Sequence, residues 1–237
     1  MRRRLLEQLA RSRPDLPDPE SAITRGLVWV DGVPITNPRS LVLDGSAIVV
    51  VEPLALRGSA KMRPALDEFG VDPAGKVCLD VGAAAGGFTS VLLERGAARI
   101  FAVDVGHGQL LGSLRQDPRV VNLEATNVAK LDRVLIPEPV ELVVVDVSYL
   151  SLSGAVAQLD RIKFVADAEL VGLVKPMFEL RLAEAPTDWE SVGRAVTQAR
   201  PGLEGAGWEF LGSFRSPSPG ARGALEAFVH CRKSARD

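Results

Sequence analysis

The sequence predicts a doubly wound α/β fold behind a small α+β unit. From Arg57 onward, apolar runs of strand length alternate with segments of helical periodicity, a pattern typical of parallel βαβ units. One buried strand, Val77–Val81, passes through a glycine-rich loop into a helix. The last two strands are joined by a short stretch rich in Pro, Gly and Ser, Ser216–Gly223. Because a parallel partner needs a long crossover, the final strand should be an antiparallel edge strand.

The alternation assigns strands and helices throughout the main domain. In an open sheet of this kind ligands bind at the carboxyl ends of the parallel strands, so the residues that end these strands are the first candidates for a site. The predicted strands are Val77–Val81, Arg99–Asp104, Arg119–Leu123, Glu141–Asp146, Glu169–Lys175, Trp208–Phe214 and Ala224–Cys231. The predicted helices are Gly87–Arg95, Gly108–Gln116, Ser153–Val165 and Trp189–Ala206.

The chain divides into a small unit at residues 1–52, a linker at 53–60 and the main domain at 61–237. In the small unit, Leu5, Leu6 and Leu9 recur at helical spacing, and Ser21 is placed to cap a short second helix. A hairpin follows, with its turn at Asp31–Gly32. The predicted strands of this unit are Leu27–Val30, Val33–Thr36 and Ile48–Val51.

Charge is distributed unevenly along the 237 residues. Residues 1–63 carry three more Arg and Lys than Asp and Glu, whereas the rest of the chain carries five fewer. The basic end is therefore the candidate contact for a polyanion.

The cysteines and the hydropathy pattern argue against a disulfide-bonded, secreted or membrane-spanning protein. The two cysteines, Cys78 and Cys231, both lie in apolar runs, so neither a disulfide framework nor a thiolate metal cluster is supported, and no metal is expected. The sequence contains no secretory apolar segment and no run approaching ~18 apolar residues. These features favour a cytoplasmic protein.

The most informative segment is Cys78–Thr89, where a buried strand meets a loop of small residues and then a helix. A backbone without side chains lets a nucleotide-like ligand approach closely, with the helix N-terminus behind it. Such a turn fits nicotinamide cofactors as well as S-adenosylmethionine, and it can also be tight packing. S-adenosylmethionine is favoured by an acid at Asp80, by Ala84 in place of the second glycine of G-x-G-x-x-G, and by the antiparallel last strand. The candidate cofactor-binding residues are Asp80, Gly82, Ala84, Gly86, Gly87, Phe88 and Thr89.

Four charged residues border the predicted strands. Asp104 ends the second strand, where a carboxylate can accept both hydroxyls of a ribose; the alternative is a cap for the following helix. Asp146 and Lys175 end parallel strands and Glu226 lies near the start of the last one, so all should project from one rim. Each of these three could instead be a solvated strand boundary or part of a salt bridge. Their shared rim beside a cofactor loop favours a site.

Six ordered sequence blocks resemble the TlyA (hemolysin A-like) family of ribosomal RNA ribose methyltransferases, which are related to FtsJ. The resemblance covers nearly the whole chain, because Val28–Val33 of the basic unit is similar to part of a small RNA-binding domain of a ribosomal protein. It implies a Rossmann-like methyltransferase sheet, S-adenosylmethionine as cofactor, ribosomal RNA or ribosomal subunits as partners, and methylation of ribose 2′-hydroxyls. The blocks are Arg57–Lys61, Asp80–Thr89, Asp104–Leu110, Asp146–Ser151, Val174–Glu179 and Glu226.

The resemblance also implies a catalytic tetrad of Lys61, Asp146, Lys175 and Glu226. A ribose 2′-hydroxyl is a poor nucleophile that must lose its proton while it is aligned with the methyl group. Lys175 is the expected general base, because a second ammonium at Lys61 and partial burial both disfavour its charged form. Asp146 would orient Lys175, and Glu226 would hold Lys61 or the ribose.

The remaining expected contacts serve the cofactor and the RNA. Val105 and Asn127 complete the cofactor site. Arginines of the basic unit would attract RNA phosphates, the alternative being a solvated basic face. These arginines are Arg2, Arg3, Arg4, Arg11, Arg13 and Arg25.

Departures from the family pattern leave alternatives open. After Glu179 the chain continues as Leu180–Pro186 without glycine, and Ser59–Ala60 precedes Lys61 in place of the commoner pairs. The alternatives are an S-adenosylmethionine- and RNA-binding protein without activity, a methyltransferase retargeted to another acceptor, and a membrane-active hemolysin, which the lack of a transmembrane run disfavours. A Ser/His/Asp hydrolase has little support, because His107 and His230 are the only histidines.

Overall fold

The computed structural model describes residues 2–16, 18–24, 27–50, 56–220 and 223–234. The chain forms two compact units, Met1–Ala55 and Leu56–Asp237. Residues 57–60, which the sequence analysis assigned to the linker, instead form the first turn of a helix that runs to Phe69. Gly58, in this first turn, lets the backbone of the helix pack closely against Gly87. Residues 53–55 of the predicted linker lie outside the described residues.

The first unit contains two helices and two small antiparallel sheets. The two-stranded sheet pairs β1 with β4, and the three-stranded sheet has the order β3-β2-β5. Its core is formed by residues such as Leu5, Leu9, Ile23, Val28 and Val42. The elements are β1 (Arg2–Arg4), α1 (Leu5–Ser12), α2 (Pro19–Thr24), β2 (Val28–Val30), β3 (Val33–Pro34), β4 (Leu41–Leu43) and β5 (Ile48–Val50).

The first unit differs from the sequence prediction in two strands and in a helix cap. The strands Arg2–Arg4 and Leu41–Leu43 were not predicted, because a run of three arginines carries no apolar alternation and the second strand is only three residues long; their register comes from pairing with each other. The predicted cap Ser21 is wrong, since the Ser21 amide donates to the Asp18 side chain at 2.9 Å and the helix begins at Pro19. Asp18 therefore accepts at the helix start, as capping aspartates do.

The second unit alternates strands and helices and also contains short 3₁₀ helices at Val128–Lys130 and Ala157–Leu159. Its strands are β6 (Val77–Val81), β7 (Arg99–Val103), β8 (Val120–Leu123), β9 (Val140–Val145), β10 (Phe164–Val174), β11 (Trp208–Arg215) and β12 (Ala227–Lys233). Its α-helices are α3 (Arg57–Phe69), α4 (Gly87–Glu94), α5 (Gly112–Arg115), α6 (Leu152–Val156), α7 (Pro176–Glu179) and α8 (Trp189–Gly205).

These strands form one seven-stranded sheet with the order β8-β7-β6-β9-β10-β12-β11. Strands β6 to β10 are parallel, and β12 is antiparallel to both of its neighbours, as predicted for the last strand. The predicted edge position is wrong, because β12 lies between β10 and β11. The burial pattern explains the order: Ala227–Cys231 are all buried, whereas β11 alternates between exposed and half-buried residues after the buried Trp208, as an edge strand does.

Both faces of the sheet are covered, which is the doubly wound arrangement. Alternate residues of the central strand β9 point to opposite sides: Val143 and Val145 belong to one core cluster, and Leu142 and Val144 to the other. Helix α8 packs on the first side and helices α3 and α4 pack on the second. This packing leaves the carboxyl ends of the parallel strands as the open rim.

Predicted helices were wrong at two places. The predicted helix Ser153–Val165 ends early, and Phe164 already begins β10, where it pairs with Val140 and packs edge-on against Trp208 at 5.2 Å. The predicted helix Gly108–Gln116 is confined to Gly112–Arg115, because Gly108 adopts a left-handed φ of 70°.

Candidate active site

The charged residues predicted to share one rim do so. Asp104 and Asp146 directly follow β7 and β9, Lys175 follows β10, and Glu226 precedes the antiparallel β12. Pro176 cannot donate a ladder hydrogen bond and begins α7, so the strand ends at Val174 and Lys175 is the N-cap residue of the helix. The sequence pattern thus brings all four side chains to the end of the sheet where open α/β proteins bind ligands.

Lys175 and Asp146 form an accessible ion pair on this rim. The Lys175 Nζ lies 2.5 Å from Asp146 Oδ1 and donates a hydrogen bond to Ser148 Oγ at 2.7 Å. The contact with Asp146 lacks hydrogen-bond geometry, and Oδ1 has no hydrogen-bond partner among the described residues. The two side chains are 15% and 22% exposed, so a substrate can reach the pair.

Lys61 and Glu226 form a second ion pair, which is buried. The Lys61 Nζ donates to Glu226 Oε2 at 2.5 Å, and the side chains are 8% and 5% exposed. A Cβ at Gly220 would collide with the Glu226 carboxylate, so a larger residue there would displace this side chain from its place beside Lys61. The four expected catalytic residues therefore form two pairs in which each ammonium has its own carboxylate, and Glu226 holds Lys61.

The glycines of the cofactor loop allow neighbouring segments of the protein to pack closely against the loop. A Cβ at Gly82 would collide with the backbone carbonyl of Asp146, and one at Gly87 would lie 2.8 Å from Gly58 Cα at the start of α3. A Cβ at Gly86 would collide with Leu114. These glycines were predicted to allow the close approach of a ligand. In the structure they let the strand that carries Asp146 and the helix that carries Lys61 approach the loop.

Asp104 ties the cofactor loop to the loop that follows β7. Its Oδ2 accepts from the Ala84 amide at 2.9 Å and its Oδ1 accepts from the Gly106 amide at 2.6 Å. The alternative interpretation as a helix cap is wrong, because α5 begins at Gly112 and Leu111 is its N-cap residue. Each carboxylate oxygen keeps a second lone pair, so Asp104 can still accept hydrogen bonds from a ligand.

Asp80 is a fully buried carboxylate with one unpaired oxygen. Thr89 Oγ1 donates to its Oδ2 at 2.6 Å, and its Oδ1 has no partner among the described residues. Burial raises the pKa of Asp80 to about 7, and the charges of Asp146 and Asp104 act in the same direction. A buried carboxylate without a counter-ion fits a site that receives a cationic ligand.

The other expected cofactor residues divide between surface and core. Val105 is 47% exposed next to Asp104. The Asn127 side chain accepts from the Ala129 amide at 2.9 Å and caps a 3₁₀ helix. Phe88 is buried and packs against Phe228, 6.0 Å between ring centroids, so the structure places it in the core.

Glu124 and Tyr149 are rim residues that the sequence analysis missed. Glu124 follows β8 and accepts from the Gln109 and Leu110 amides at 2.6 and 3.0 Å, fixing the loop after Asp104. Hydrogen bonds, chiefly from Asn122 and Leu110, lower the pKa of Glu124 to about 2. Burial and the charge of Asp104 raise the pKa of the Tyr149 phenol. An acid directly after a strand, as at Asp104 and Asp146, was the signal for Glu124.

Arginines of the first unit are brought together only in part. Arg13 is held by Asp15, with its Nη2 2.8 Å from Oδ2, and Arg3 lies 3.5 Å from Asp44. Arg25 lies outside the described residues. The other three line one groove together with Arg3, an acid and an exposed leucine; the groove is lined by Arg2, Arg3, Arg4, Glu7, Arg11 and Leu41.

His230 lies within the sheet, in strand β12. His230 Nε2 lies 3.1 Å from Glu169 Oε1, and its ring stacks on Phe69 at 5.2 Å, which is a packing role within the sheet. Within the described residues, no group of three or more His, Cys, Asp or Glu side chains is placed to hold a metal ion. None of the helices in the described ranges is both long and apolar enough to cross a bilayer.

Comparison with known proteins identifies the second unit. A family model described as FtsJ-like methyltransferase matches residues 55–233. The chain belongs to this family. The match spans the seven-stranded sheet and both ion pairs of the rim, so the predicted methyltransferase fold class and family resemblance are confirmed.

Relatives of this FtsJ-like methyltransferase extend over the first unit as well. The 16S/23S rRNA (cytidine-2′-O)-methyltransferase TlyA of Mycobacterium tuberculosis is 40% identical over 94% of this chain and 85% of its own length. The 23S rRNA (cytidine-2′-O)-methyltransferase TlyA of Campylobacter jejuni is 31% identical over 84% of this chain and 79% of its own. A solved structure from Streptococcus thermophilus, provisionally described as a hemolysin, has a TM-score of 0.72 at 28% identity and covers 98% of this chain and 89% of that one.

Removing Lys61 from the buried pair should cost more stability than removing a surface arginine of the same helix. Lys61→Met leaves the Glu226 carboxylate buried without a counter-charge, and we expect a loss of about 3–5 kcal/mol in the free energy of unfolding. Arg63→Met breaks the Arg63–Glu94 pair, whose side chains are 43% and 51% exposed, and should cost less than ~1 kcal/mol. Urea unfolding of both variants measures the difference. Equal losses would contradict a buried pair.

Asp80→Asn should stabilise the protein at high pH. Because burial raises the pKa of Asp80 to about 7 from an ordinary 3.8, the folded chain holds a proton that the unfolded chain has lost. Stability from this group is fully present below pH 4 and is lost as pH rises to about 7. Without bound ligand, the variant should exceed the wild type at pH 8 by the order of 2–4 kcal/mol, with no gain at pH 4. Urea unfolding at both pH values tests this, and a less stable variant at pH 8 would refute it.

Proposed function

We propose that this chain transfers the methyl group of S-adenosylmethionine to a ribose 2′-hydroxyl of ribosomal RNA, at a cytidine as in its relatives. The observation that carries the proposal is the accessible Lys175–Asp146 pair, which shares the rim of the sheet with Asp80 near the end of β6 and with Asp104 directly after β7. A proton-handling group and a site for a cationic nucleoside are thus joined at one rim. The reaction would take place in the cytoplasm on ribosomal RNA or ribosomal subunits.

The cofactor half of the rim has groups that fit S-adenosylmethionine. The unpaired Oδ1 of Asp80 suits the ammonium of the amino-acid moiety, and the free lone pairs of Asp104 suit the ribose hydroxyls. Val105 and Tyr149, 47% and 42% exposed, offer apolar surface for the base. When bound, the cofactor supplies a methyl group on a sulfonium.

The acceptor half of the rim would take the proton from the ribose 2′-hydroxyl. A neutral Lys175 would accept the proton of the 2′-hydroxyl, and Asp146 and Ser148 would stabilise the ammonium that results. General base catalysis typically accelerates a reaction roughly 10² to 10⁴-fold, whereas alignment of two reactants can lower the activation barrier by ~7–11 kcal/mol. The buried Lys61–Glu226 pair contributes to alignment, because it fixes α3 to the start of β12. Alignment of the two reactants should therefore accelerate the reaction more than proton transfer to Lys175 does.

The first unit would bind RNA through the groove lined by Arg2, Arg4 and Arg11. Unlike Arg3 and Arg13, these three arginines have no carboxylate within 4 Å among the described residues. Phosphate contacts of this type are sequence-independent and weaken with salt. The groove would therefore add affinity, while the rim of the second unit selects the nucleotide.

Transfer of labelled methyl from S-adenosylmethionine to purified ribosomal subunits tests the proposal. We expect alkali-resistant label at a ribose with the wild type. Lys175→Ala should lower the rate by 10² to 10⁴-fold with little change in cofactor affinity, since the lysine acts on the acceptor. Lys163→Ala, directly before the other end of β10, is the matched control and should keep full activity.

Cofactor binding by calorimetry separates the remaining hypotheses. Asp80→Asn should weaken S-adenosylmethionine binding at least tenfold at pH 8, where the carboxylate is charged. If Lys175→Ala lost cofactor affinity as far as activity, its role as a base would be wrong. Cofactor binding by the wild type without transfer to any ribosomal RNA would favour a non-catalytic binding protein or another acceptor.

A further inference from the structure

Arg215 and Trp189 form a stacked pair at the edge of the rim. Arg215 is the last residue of β11, and its guanidinium carbon lies 4.5 Å from the centroid of the Trp189 ring. Trp189 is the first residue of α8. Stacking on an indole holds a guanidinium plane in place while its N–H edge remains free to donate hydrogen bonds.

The sheet register places this pair on the acceptor side of Lys175. Arg215 and Val174 are both in register with Ala227, so β12 alone separates Arg215 from the residue before Lys175. At ~4.8 Å per strand, the Cα atoms of Arg215 and Val174 are roughly 10 Å apart. Strands β6 and β7, which carry Asp80 and Asp104, lie on the other side of β10. A polynucleotide whose ribose stands at Lys175 can therefore pass Arg215 without covering the cofactor side.

Arg215 has no carboxylate oxygen within 4 Å among the described residues, whereas seven other arginines of the second unit have one within 3.5 Å. The stack on Trp189 distinguishes Arg215 from the other described arginines of this unit that lack such a partner, which are Arg133, Arg181, Arg194 and Arg232. The nearby acid Asp188 accepts from the Ser191 amide at 2.7 Å and caps α8. A rigid guanidinium with free N–H donors suits a phosphate. The seven paired arginines are Arg63, Arg95, Arg99, Arg115, Arg119, Arg161 and Arg200.

We propose that Arg215, held on Trp189, binds a backbone phosphate of the acceptor RNA next to the methylated ribose. This inference rests on the proposed function and assigns the edge of β11 to the RNA strand. The contact would fix the register of the strand over Lys175, as phosphate contacts do in other nucleic-acid complexes. Base identity would be read elsewhere.

A matched pair of variants tests the contact. Arg215→Ala should raise KM for the RNA roughly tenfold, with a smaller change in kcat, and lower the salt dependence of RNA binding by about one charge. Arg200→Ala is the control, because Arg200 of α8 stacks on Phe210 of β11 at 5.2 Å, joining the same helix and strand further from the rim. It should leave KM and the salt dependence unchanged. Arg215→Lys, which keeps the charge without the planar fork, should lie between wild type and Arg215→Ala.

The outcomes distinguish this inference from the proposed function. If the wild type methylates ribosomal RNA and Arg215→Ala matches Arg200→Ala in KM and salt dependence, the stacked pair only joins α8 to β11 and the inference is wrong. If the wild type transfers no methyl group to RNA, the proposed function itself fails. A rise in KM confined to the Arg215 variants, with equal unfolding stability of the two alanine variants, supports the contact.

Discussion

The close approach of three backbone segments at the cofactor loop is the constraint on which the active site depends. Gly82 faces the carbonyl of Asp146, and Gly87 faces Gly58 at the start of α3. Side chains at these positions would push away the strand end that carries Asp146 or the helix that carries Lys61. Since helix α3 also carries Met62 and Leu66 into the core, such a displacement would disturb packing as well as chemistry. The loop thus positions the strand end of Asp146 and the helix of Lys61 while it forms the proposed cofactor half of the site.

The site contains buried charge that stability alone would not favour. Asp80 is fully buried with an unpaired oxygen, and the Lys61–Glu226 pair is taken almost completely out of water. Desolvation of such groups costs free energy that their contacts offset only partly. Glu179 shows how the fold compensates: it is buried, but it accepts from the Leu152 amide at 2.8 Å and from Ser153 Oγ at 2.7 Å at the start of α6. Burial of apolar side chains on both faces of the sheet offsets the free-energy cost of these buried charges.

Some features required three-dimensional contacts that no local pattern encodes. Helix α3 was not predicted, because Gly58, Ser59 and Pro64 obscure its periodicity; packing of its apolar face and the contact with Gly87 stabilise it. The position of β12 inside the sheet was also mispredicted. A short connection fixes the antiparallel direction of β12, but only packing of its buried run on both faces decides between an edge and an interior position.

Sequence alone determined the seven strands of the second unit and the rim on which Asp104, Asp146, Lys175 and Glu226 lie, because periodicity and strand-end chemistry are local properties. It also identified the methyltransferase family, through the resemblance of six ordered sequence blocks. Only the tertiary structure decided which charges pair. Lys61 and Glu226 are 165 residues apart in sequence, and their contact depends on α3 docking beside β12. Likewise, Phe88 was expected to bind the cofactor but is buried in the core, and the stacking of Arg215 on Trp189 could not be predicted. Pairing and burial are set by packing between distant segments, which residue type and spacing do not specify.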